Sequence, residues 1–320
     1  MSLNKSYLNF RTDMADERVD TYKKVHNLSS IDGVIVNEEF KDDINIVTVE
    51  ITNENGEKAI GKKKGKYITL ELYDLDYIDE LGKKSLINAI SKIIDTLIND
   101  KKSIMVVGLG NIYVTPDALG PKVVKYLDVN RHLFKFAKEL VNLNDKELSA
   151  LAPGVLGTTG IETSEIIESI VKKIKPDIII AIDSLASQSM TRLGKTIQLS
   201  NTGLNPGSGV KNKRVGIDEE HLNIPVIALG IPTVVDMATI TNEAMDKVIL
   251  KTKEEIENFN NDNIKESKII MDLLNSDNRY QMIANTLDTE NYIVTPKEID
   301  ELIDKMSEII ANSINAIVTC

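Results

Sequence analysis

The chain has 320 residues, of which 42% are hydrophobic and 27% charged, so it can bury a substantial core and is not intrinsically disordered. Lys and Arg number 38 against 49 Asp and Glu, which gives a formal net charge of −11. Because neutralising phosphates needs a basic surface, this charge disfavours direct nucleic-acid binding, and no apolar run approaches the ~18 residues that a membrane span needs.

The N-terminal part carries no recognisable targeting signal. Residues 1–20 have no apolar signal-peptide core, so we expect a cytoplasmic protein with no membrane partner. Residues 1–28 are polar and charged without a sustained period, which predicts an extension outside the main fold. The single cysteine is Cys320, which excludes an internal disulfide and disfavours a zinc ribbon or a cysteine protease.

Residues 31–78 are rich in β-forming side chains. Short runs of branched and aromatic residues are separated by turn and glycine-rich sequences, as expected for antiparallel strands. The lysine run GKKKGK at 61–66 predicts a solvent-exposed hairpin tip. The predicted strands are 33–36, 44–51 and 66–72, and the turn between the last two is NENG at 53–56.

Helices and buried strands alternate from residue 83 onward. Apolar residues at helical spacing predict a helix at 83–99 and another at 163–175. This alternation predicts an α/β fold with a largely parallel sheet flanked by helices on both faces. Apolar runs typical of strands buried on both faces lie at 103–110, 176–183, 196–200 and 224–230.

The C-terminal part, residues 241–320, is predicted to be helical. Thr295, Pro296 and Glu298 form a capping-box sequence that favours a helix start. Apolar residues then recur at helical spacing from Ile299 onward, which predicts a core-facing helix.

Two aspartates lie at the ends of predicted buried strands, where active sites and ligand sites are usually found in an open parallel sheet. Asp117 is in the helix start that follows the strand at 103–110, and Asp183 ends the apolar run IIIAID. Neighbouring parallel strands would bring both carboxylates to one edge of the sheet. Such a pair can hydrolyse a peptide bond, since one carboxylate takes a proton from water while the other, kept protonated, polarises the carbonyl. Two structural alternatives stay open, with Asp117 as an acidic first-turn residue and Asp183 as a cap.

Other catalytic classes lack their motifs. GLGNIY has Tyr113 where a dinucleotide fingerprint needs its third glycine, and the sequence contains no HExxH zinc motif. Ser184 and Ser187 lack the context of a nucleophile elbow. His221, just before a predicted strand, is interpreted as a surface or packing residue.

Five segments resemble the germination protease family, also called spore protease. They follow the family's order and cover most of residues 10–240, and five matches in order are far more specific than any one alone. The segments are FRTDMADER (10–18), VVGLGNIYVTPDALGPKVV (106–124), APGVLGTTGIETSEII (152–167), DIIIAIDSLASQSMTRLGKTIQLSNTGLNPGSGVKNKR (177–214) and LGIPTVVDMATI (229–240).

The resemblance implies an endopeptidase that begins the degradation of small acid-soluble spore proteins during germination, located in the cytoplasm of the forespore and the spore core. It also implies a homotetramer, and a zymogen that removes its own N-terminal propeptide. The family prefers an acidic residue before the cut, then a hydrophobic residue, then alanine. Asp13-Met14-Ala15 fits that pattern, so we expect a cut after Asp13. The propeptide would be residues 1–13, and residues 14–320 would form a single peptidase domain.

The implied fold is that of the hydrogenase-maturation peptidases, a phosphorylase/hydrolase-like twisted sheet between helices. Asp117 and Asp183 match two acidic metal ligands there, but the histidine ligand has no counterpart, so a metal-free aspartate pair without cofactor is expected. Arg192 and Arg214 are candidates for binding the acidic side chain of a substrate, and Gly203 for a tight loop beside the site. A maturation peptidase for one precursor and a non-enzymatic binding protein are the alternatives.

Overall fold

The computed structural model describes residues 12–41, 44–72, 80–204, 215–258 and 292–319. Within these ranges nine strands form one sheet in the spatial order β1-β2-β3-β7-β8-β6-β4-β5, with β9 paired to β8. The strands are β1 (Val34–Lys41), β2 (Ile44–Ile51), β3 (Gly65–Leu72), β4 (Ser103–Gly108), β5 (Glu147–Leu151), β6 (Ile178–Ala186), β7 (Thr196–Ser200), β8 (Val226–Asp236) and β9 (Ile293–Val294).

The sheet has a parallel part and an antiparallel part. β5, β4, β6 and β8 run parallel to one another, and the apolar residues of β6 are buried on both of its faces. β1, β2, β3 and β7 extend the same sheet through antiparallel pairs. The α/β fold class and the β-rich N-terminal part are confirmed.

Two strands differ from the predicted alternation. β7 is antiparallel to β8 because only residues 187–195 join it to β6, and a parallel crossover needs a dozen or more residues. β5 was not predicted. It is a short strand at the edge of the sheet, and its polar residues Glu147 and Ser149 interrupt the apolar run that would mark it.

Helices cover both faces of the sheet. On one face, α3, α4 and α10 pack side chains such as Leu86, Leu119 and Ile310 against the strands. The α-helices described are α1 (Ala15–His26), α2 (Glu54–Ile60), α3 (Glu80–Ile98), α4 (Leu119–Tyr126), α5 (Arg131–Phe136), α6 (Leu156–Thr159), α7 (Thr163–Ile174), α8 (Glu219–Leu222), α9 (Met237–Asn258) and α10 (Ile299–Val318).

The opposite face is covered in two separate places. α7 packs Ile167 and Val171 against β4 and β6, whereas α1 and α2 pack Val19 and Ile60 against β2 and β3. The part of this face that β7 and β8 form lies between α7 on one side and α1 with α2 on the other. Side chains of this part line the cleft described below.

The segment from Thr12 to His26 is part of the fold, so its predicted place outside the fold is wrong. Met14 and Ala15 are fully buried. Asp16 and Glu17 are buried as well, because they pair with side chains of the main body. A charged residue that pairs internally cannot be told from an exposed one by sequence period alone.

The C-terminal helices are present, with one shifted boundary. α10 begins at Ile299 and the predicted start at Thr295 is wrong, because Ile293–Val294 is held extended against β8 and the Thr295 hydroxyl donates to the Thr233 carbonyl at 2.9 Å. Residues 259–291 lie outside the described part of the chain. No helix in the described ranges is long and apolar enough to cross a membrane.

Candidate active site

Asp117 is held by the loop that follows β4. The loop closes in a 3-10 turn at Thr115–Asp117, and the Asn111 amide donates to Asp117 Oδ2 at 2.8 Å. Gly110 has a φ of +113°, and a Cβ there would overlap the Asp117 carbonyl oxygen. The turn therefore requires glycine, and it fixes the position of the Asp117 carboxyl group.

Asp183 lies inside β6, which continues to Ala186. Its backbone pairs with Gly230 of β8, and the Ser184 amide donates to Asp183 Oδ1 at 2.9 Å. Because the strand runs on past Asp183, this side chain does not cap a helix.

Asp117 and Asp183 line the same cleft, which has a volume of about 590 Å³. Its floor includes small residues of the central strands, among them Gly230, Ala228 and Ser200. The structure thus brings together two carboxyl groups that belong to distant parts of the sequence. They lie on the side of the sheet where the parallel strands end, the usual place for a site in an α/β fold.

One row of the sheet crosses the cleft floor. Gln198 of β7 pairs with Gly230, and Gly230 pairs with Asp183. Paired residues of adjacent strands project from the same face, so Gln198 and Asp183 rise on either side of a residue that has no side chain. The two Cα atoms are two strand spacings apart, about 10 Å.

The N-terminal segment enters this cleft. The Asp13 amide donates to the Ala186 carbonyl at 2.9 Å, and the Ala186 amide donates to Asp13 Oδ2 at 2.9 Å. Asp13 itself lines the cleft, and the next side chain, Met14, has 0% exposure. Asp13, the residue before the predicted cut, therefore lies in the same cleft as the two aspartates, and Met14 is buried next to it.

Gln198 holds the backbone on both sides of the Asp13–Met14 bond. Its Nε2 donates to the Asp13 carbonyl at 3.0 Å, and its Oε1 accepts from the Ala15 amide at 2.7 Å. The side chain is 7% exposed and lines the cleft. This residue was not singled out from the sequence, although a glutamine in the middle of the buried strand TIQLS must find partners and is a usable signal.

Two cations lie near Asp13 in the cleft, Arg18 and Lys62. Arg18 Nε donates to the Thr12 carbonyl at 3.1 Å. Burial lowers the pKa of Arg18, and the nearby Asp13 and Glu17 carboxylates oppose that shift. Burial lowers the pKa of Lys62 to about 8, again with Asp13 opposing.

The sequence predicts that the lysine run at 61–66 is a solvent-exposed hairpin tip, and this prediction is wrong for part of the run. Lys62 and Lys63 both line the cleft, in a loop between α2 and β3. Lys63 pairs with Asp218 and Glu220 at 2.9 Å each. Neither Lys62 nor Arg18 was singled out from the sequence, because lysines and arginines in polar segments usually face solvent.

Arg192, the sequence candidate for binding an acidic side chain, lies next to the start of α1. It pairs with Asp16, with Glu71 at 2.7 Å and with Glu17 at 3.4 Å, and it is not among the described residues that line the cleft. Its three carboxylate partners belong to this chain. The role assigned to Arg192 from the sequence stays a prediction.

Glu17 ties α1 to the segment after β6. Glu17 accepts hydrogen bonds from the Ser187 hydroxyl at 2.6 Å, the Gln188 amide at 2.8 Å and the Thr12 hydroxyl. Burial raises the pKa of Glu17, while its hydrogen-bond donors and Arg192 act in the opposite direction. This network holds Thr12 and the first turn of α1 against the segment that follows β6.

The remaining residues considered from the sequence are Gly203, Arg214 and His221. Gly203 lines the cleft after β7, with a φ of +75° that favours glycine. Arg214 lies outside the described residues. His221 contacts Asp218 (Nδ1 to Oδ1, 2.7 Å), and within the described ranges no group of three His, Cys, Asp or Glu side chains is arranged to hold a metal ion.

Known proteins similar to this chain match it along most of its length. The germination protease family model matches residues 11–269. A germination protease of Clostridium perfringens strain SM101 is 46% identical over 96% of this chain and 94% of that protein. Those of Clostridium tetani and Priestia megaterium are 40% and 41% identical, over 96% and 98% of this chain and 95% of each relative.

A solved structure, the [NiFe] hydrogenase maturation protease HycI from Thermococcus kodakarensis KOD1, is similar over 44% of this chain and 80% of its own, with 18% identity and a TM-score of 0.30. The sequence comparisons alone decide the family. Since the family model covers most of the chain and the relatives align from end to end, the chain belongs to the germination protease family and is a protease of spores.

Proposed function

We propose that this chain is a self-activating endopeptidase that begins the degradation of small acid-soluble spore proteins, with Asp117 and Asp183 as its catalytic pair. One observation carries the proposal: both carboxyl groups line a cleft that also holds the chain's own Asp13–Met14 segment. A protease whose N-terminal segment lies in its cleft has a substrate already in place.

The two carboxyl groups suit hydrolysis without a covalent intermediate. One carboxylate takes a proton from a water molecule as the water oxygen bonds to the carbonyl carbon. The other carboxyl group, protonated, polarises the carbonyl oxygen. When the C–N bond breaks, the new amine takes a proton and the new acid is left as a carboxylate. This division needs one carboxyl group to be ionised and the other to be protonated when the peptide is bound.

The proposed activation step is hydrolysis of the Asp13–Met14 bond. It would release residues 1–13 as a propeptide and leave residues 14–320 as the mature peptidase domain. The two hydrogen bonds between Asp13 and Ala186 support it, one donated by the Asp13 amide and one accepted by the Asp13 carboxylate, since they hold the residue before the cut against the end of β6. The burial of Met14 supports a defined position for the residue after the cut.

We propose Arg18 and Lys62 as the groups that recognise an acidic side chain before the cut. Both line the cleft, and the Asp13 carboxylate interacts electrostatically with each. Both lie after the proposed cut, so the mature chain would keep them. Arg192 and Arg214 remain the sequence-based candidates for the same role.

The remaining proposals concern the setting of the enzyme. We expect small acid-soluble spore proteins as substrates in the forespore and spore core, hydrolysis without a metal or cofactor, and a homotetramer. Large exposed apolar side chains, among them Tyr113, Phe136 and Leu143, support assembly, since apolar surface gains free energy when a subunit covers it.

The test is intact-mass spectrometry of the purified full chain over time, in wild type and in Asp117→Asn and Asp183→Asn. We expect wild type to lose residues 1–13, and each variant to slow by about 10³-fold or more. Asp128→Asn, at an exposed position, is the matched control and should process at the wild-type rate. A cut elsewhere would refute the activation site, and full activity in either cleft variant would remove that aspartate from the mechanism.

A further inference from the structure

Gln198 is the polar side chain that contacts the backbone on both sides of the predicted cut. The Nε2 donor and the Oε1 acceptor of one amide engage the Asp13 carbonyl and the Ala15 amide respectively. The bond accepted from the Ala15 amide fixes the orientation of the Gln198 amide. A flipped side chain would place its NH2 group, a donor, against the Ala15 N–H, which is also a donor. The donor therefore points at the carbonyl oxygen that would become negatively charged during hydrolysis.

The setting of Gln198 suits a fixed donor. It lies in β7 between β3 and β8, where Thr69 and Gly230 are its backbone partners, so its backbone is held on both sides. At 7% exposure the amide is shielded from water, which strengthens a hydrogen bond to developing charge. Asp183 lies in the same row beyond Gly230, two strand spacings from Gln198, so the amide and the carboxyl group line the cleft from one row of the sheet.

We propose that Gln198 is a further catalytic residue, which donates from Nε2 to the oxygen of the scissile carbonyl and stabilises its charge in the transition state. The inference rests on the proposed function. As water adds to the Asp13 carbonyl carbon, the carbonyl oxygen gains the electron pair of the C=O π bond. Gln198 keeps both amide protons throughout, and the pair returns to re-form C=O as the bond to the Met14 nitrogen breaks.

A second role for the same side chain is docking of α1. Ala15 is the first residue of α1, and its amide has no partner within the helix, so Oε1 satisfies it. Docking accounts for the acceptor bond but does not require the donor bond to Asp13. The two roles therefore separate in Gln198→Glu, whose carboxylate keeps an acceptor for Ala15 and loses the donor.

The experiment measures the first-order rate of self-cleavage of the full chain by mass spectrometry, together with hydrogen exchange of the α1 amides. The variants are Gln198→Glu, Gln198→Ala and Thr21→Val. The last removes the hydrogen bond from the Thr21 hydroxyl to Gln188 (3.0 Å), which docks α1 without contacting the cut, and is the matched control.

We expect a 10²- to 10³-fold slower cut in both Gln198 variants, the loss typical when one oxyanion donor is removed, with α1 still protected in Gln198→Glu and Thr21→Val within threefold of wild type. Lowering the pH should partly restore Gln198→Glu, because a protonated carboxyl group donates again. A wild-type rate in either Gln198 variant would overturn the proposal. An equal loss in Thr21→Val, or unprotected α1 amides in Gln198→Glu, would reduce Gln198 to a docking residue.

Wild type in the same experiment separates this inference from the proposed function. If wild type does not cut between Asp13 and Met14, the proposed activation step fails. If wild type cuts there and the aspartate variants do not, while the Gln198 variants cut normally, only the role of Gln198 fails.

Discussion

Gln198 and Asp183 lie on either side of Gly230 in a single row of the sheet, two strand spacings apart. Gly230 contributes no side chain, and the Leu185 side chain packs closely over it. A Cβ at Gly230 would lie 2.6 Å from Leu185 Cγ and 2.7 Å from the Asp183 carbonyl oxygen. The close packing of Leu185 and the Asp183 backbone at this point thus requires glycine.

Gly230→Ala should therefore lower activity by displacing the backbone of Asp183. We expect self-cleavage to slow by at least tenfold, and the free energy of unfolding to fall by about 1–3 kcal/mol, as for other overpacked sites. Self-cleavage is followed by mass spectrometry at a temperature where thermal melting shows the variant to be folded.

Gly157→Ala is the matched control for this change. Gly157 also lines the cleft, but a Cβ there has nothing within 4 Å. It should cut within twofold of wild type. If both glycine variants lost activity equally, the row through Gly230 would have no special place in the cleft.

The fold was largely predictable, because strands buried on both faces leave continuous apolar runs such as Ile178 to Ile182. That Asp117 and Asp183 line one cleft was predictable from the parallel strands that carry them, although β6 continues beyond Asp183 to Ala186. The antiparallel direction of β7 was less visible. It follows from the length of a connection and not from any residue in the strand.

The buried charged groups around the start of α1 were not predictable from the same patterns. Asp16 and Glu17 both pair with Arg192 in a buried network, yet in the sequence each of the three is typical of a solvated surface. Lys62 was assigned to an exposed lysine run. Buried charges are recognisable only when the partner is known, and here the partners come from segments more than 40 residues away in sequence.

Recognition of an acidic residue before the cut can be tested within the chain itself. Asp13→Asn should slow self-cleavage by roughly 10- to 100-fold. The Asp13 carboxylate accepts a hydrogen bond from the Ala186 amide, and a hydrogen bond to a charged group contributes about 1.5–3 kcal/mol. The carboxylate also interacts electrostatically with Lys62 and Arg18. In a chain that already carries Lys62→Gln, Asp13→Asn should slow self-cleavage by a smaller factor, because one of the two positive charges near Asp13 is already absent. The double-mutant cycle on cleavage rates measures this coupling.

Lys58→Gln supplies the matched background for that cycle. Lys58 is 76% exposed and pairs only across one turn with Glu54. Its coupling to Asp13 should be near zero. Equal coupling of Asp13 to Lys58 and to Lys62 would show that the effect is general charge and not local recognition.

The same lysine predicts a pH limit. The pKa of Lys62 is lowered to about 8 by burial, so its charge is complete well below pH 8 and is lost as the pH rises through that value. The groups that act on it are Asp13, Asp16, Glu17 and Arg18. We expect the self-cleavage rate to fall above about pH 8 in wild type.

Lys62→Arg should keep the charge and shift that fall to higher pH, because a guanidinium stays protonated in proteins. The comparison uses cleavage rates of the two chains from pH 6 to 10. Identical profiles would mean that another group, and not Lys62, sets the alkaline limit.

Glu17 predicts a pH dependence for the docking of α1. Burial raises the folded-state pKa of Glu17 above 4.5, the ordinary value for a glutamate side chain. A carboxyl group with a raised folded pKa stabilises the docked state fully below its unfolded pKa, and this contribution is lost as the pH rises through the folded pKa. Docking should therefore weaken as the pH rises above about 4.5.

Glu17→Gln should remove that dependence, because an amide does not titrate. Its one oxygen can still accept from the Gln188 amide, and its NH2 group can donate to the Ser187 hydroxyl oxygen. Hydrogen exchange of the α1 amides, corrected for the intrinsic effect of pH, measures docking in each chain. Glu54→Gln, at a side chain with 81% exposure, is the control and should behave as wild type. The idea fails if protection in wild type is flat with pH, or if Glu17→Gln retains the same slope, since the proton that links docking to pH would then belong to another group.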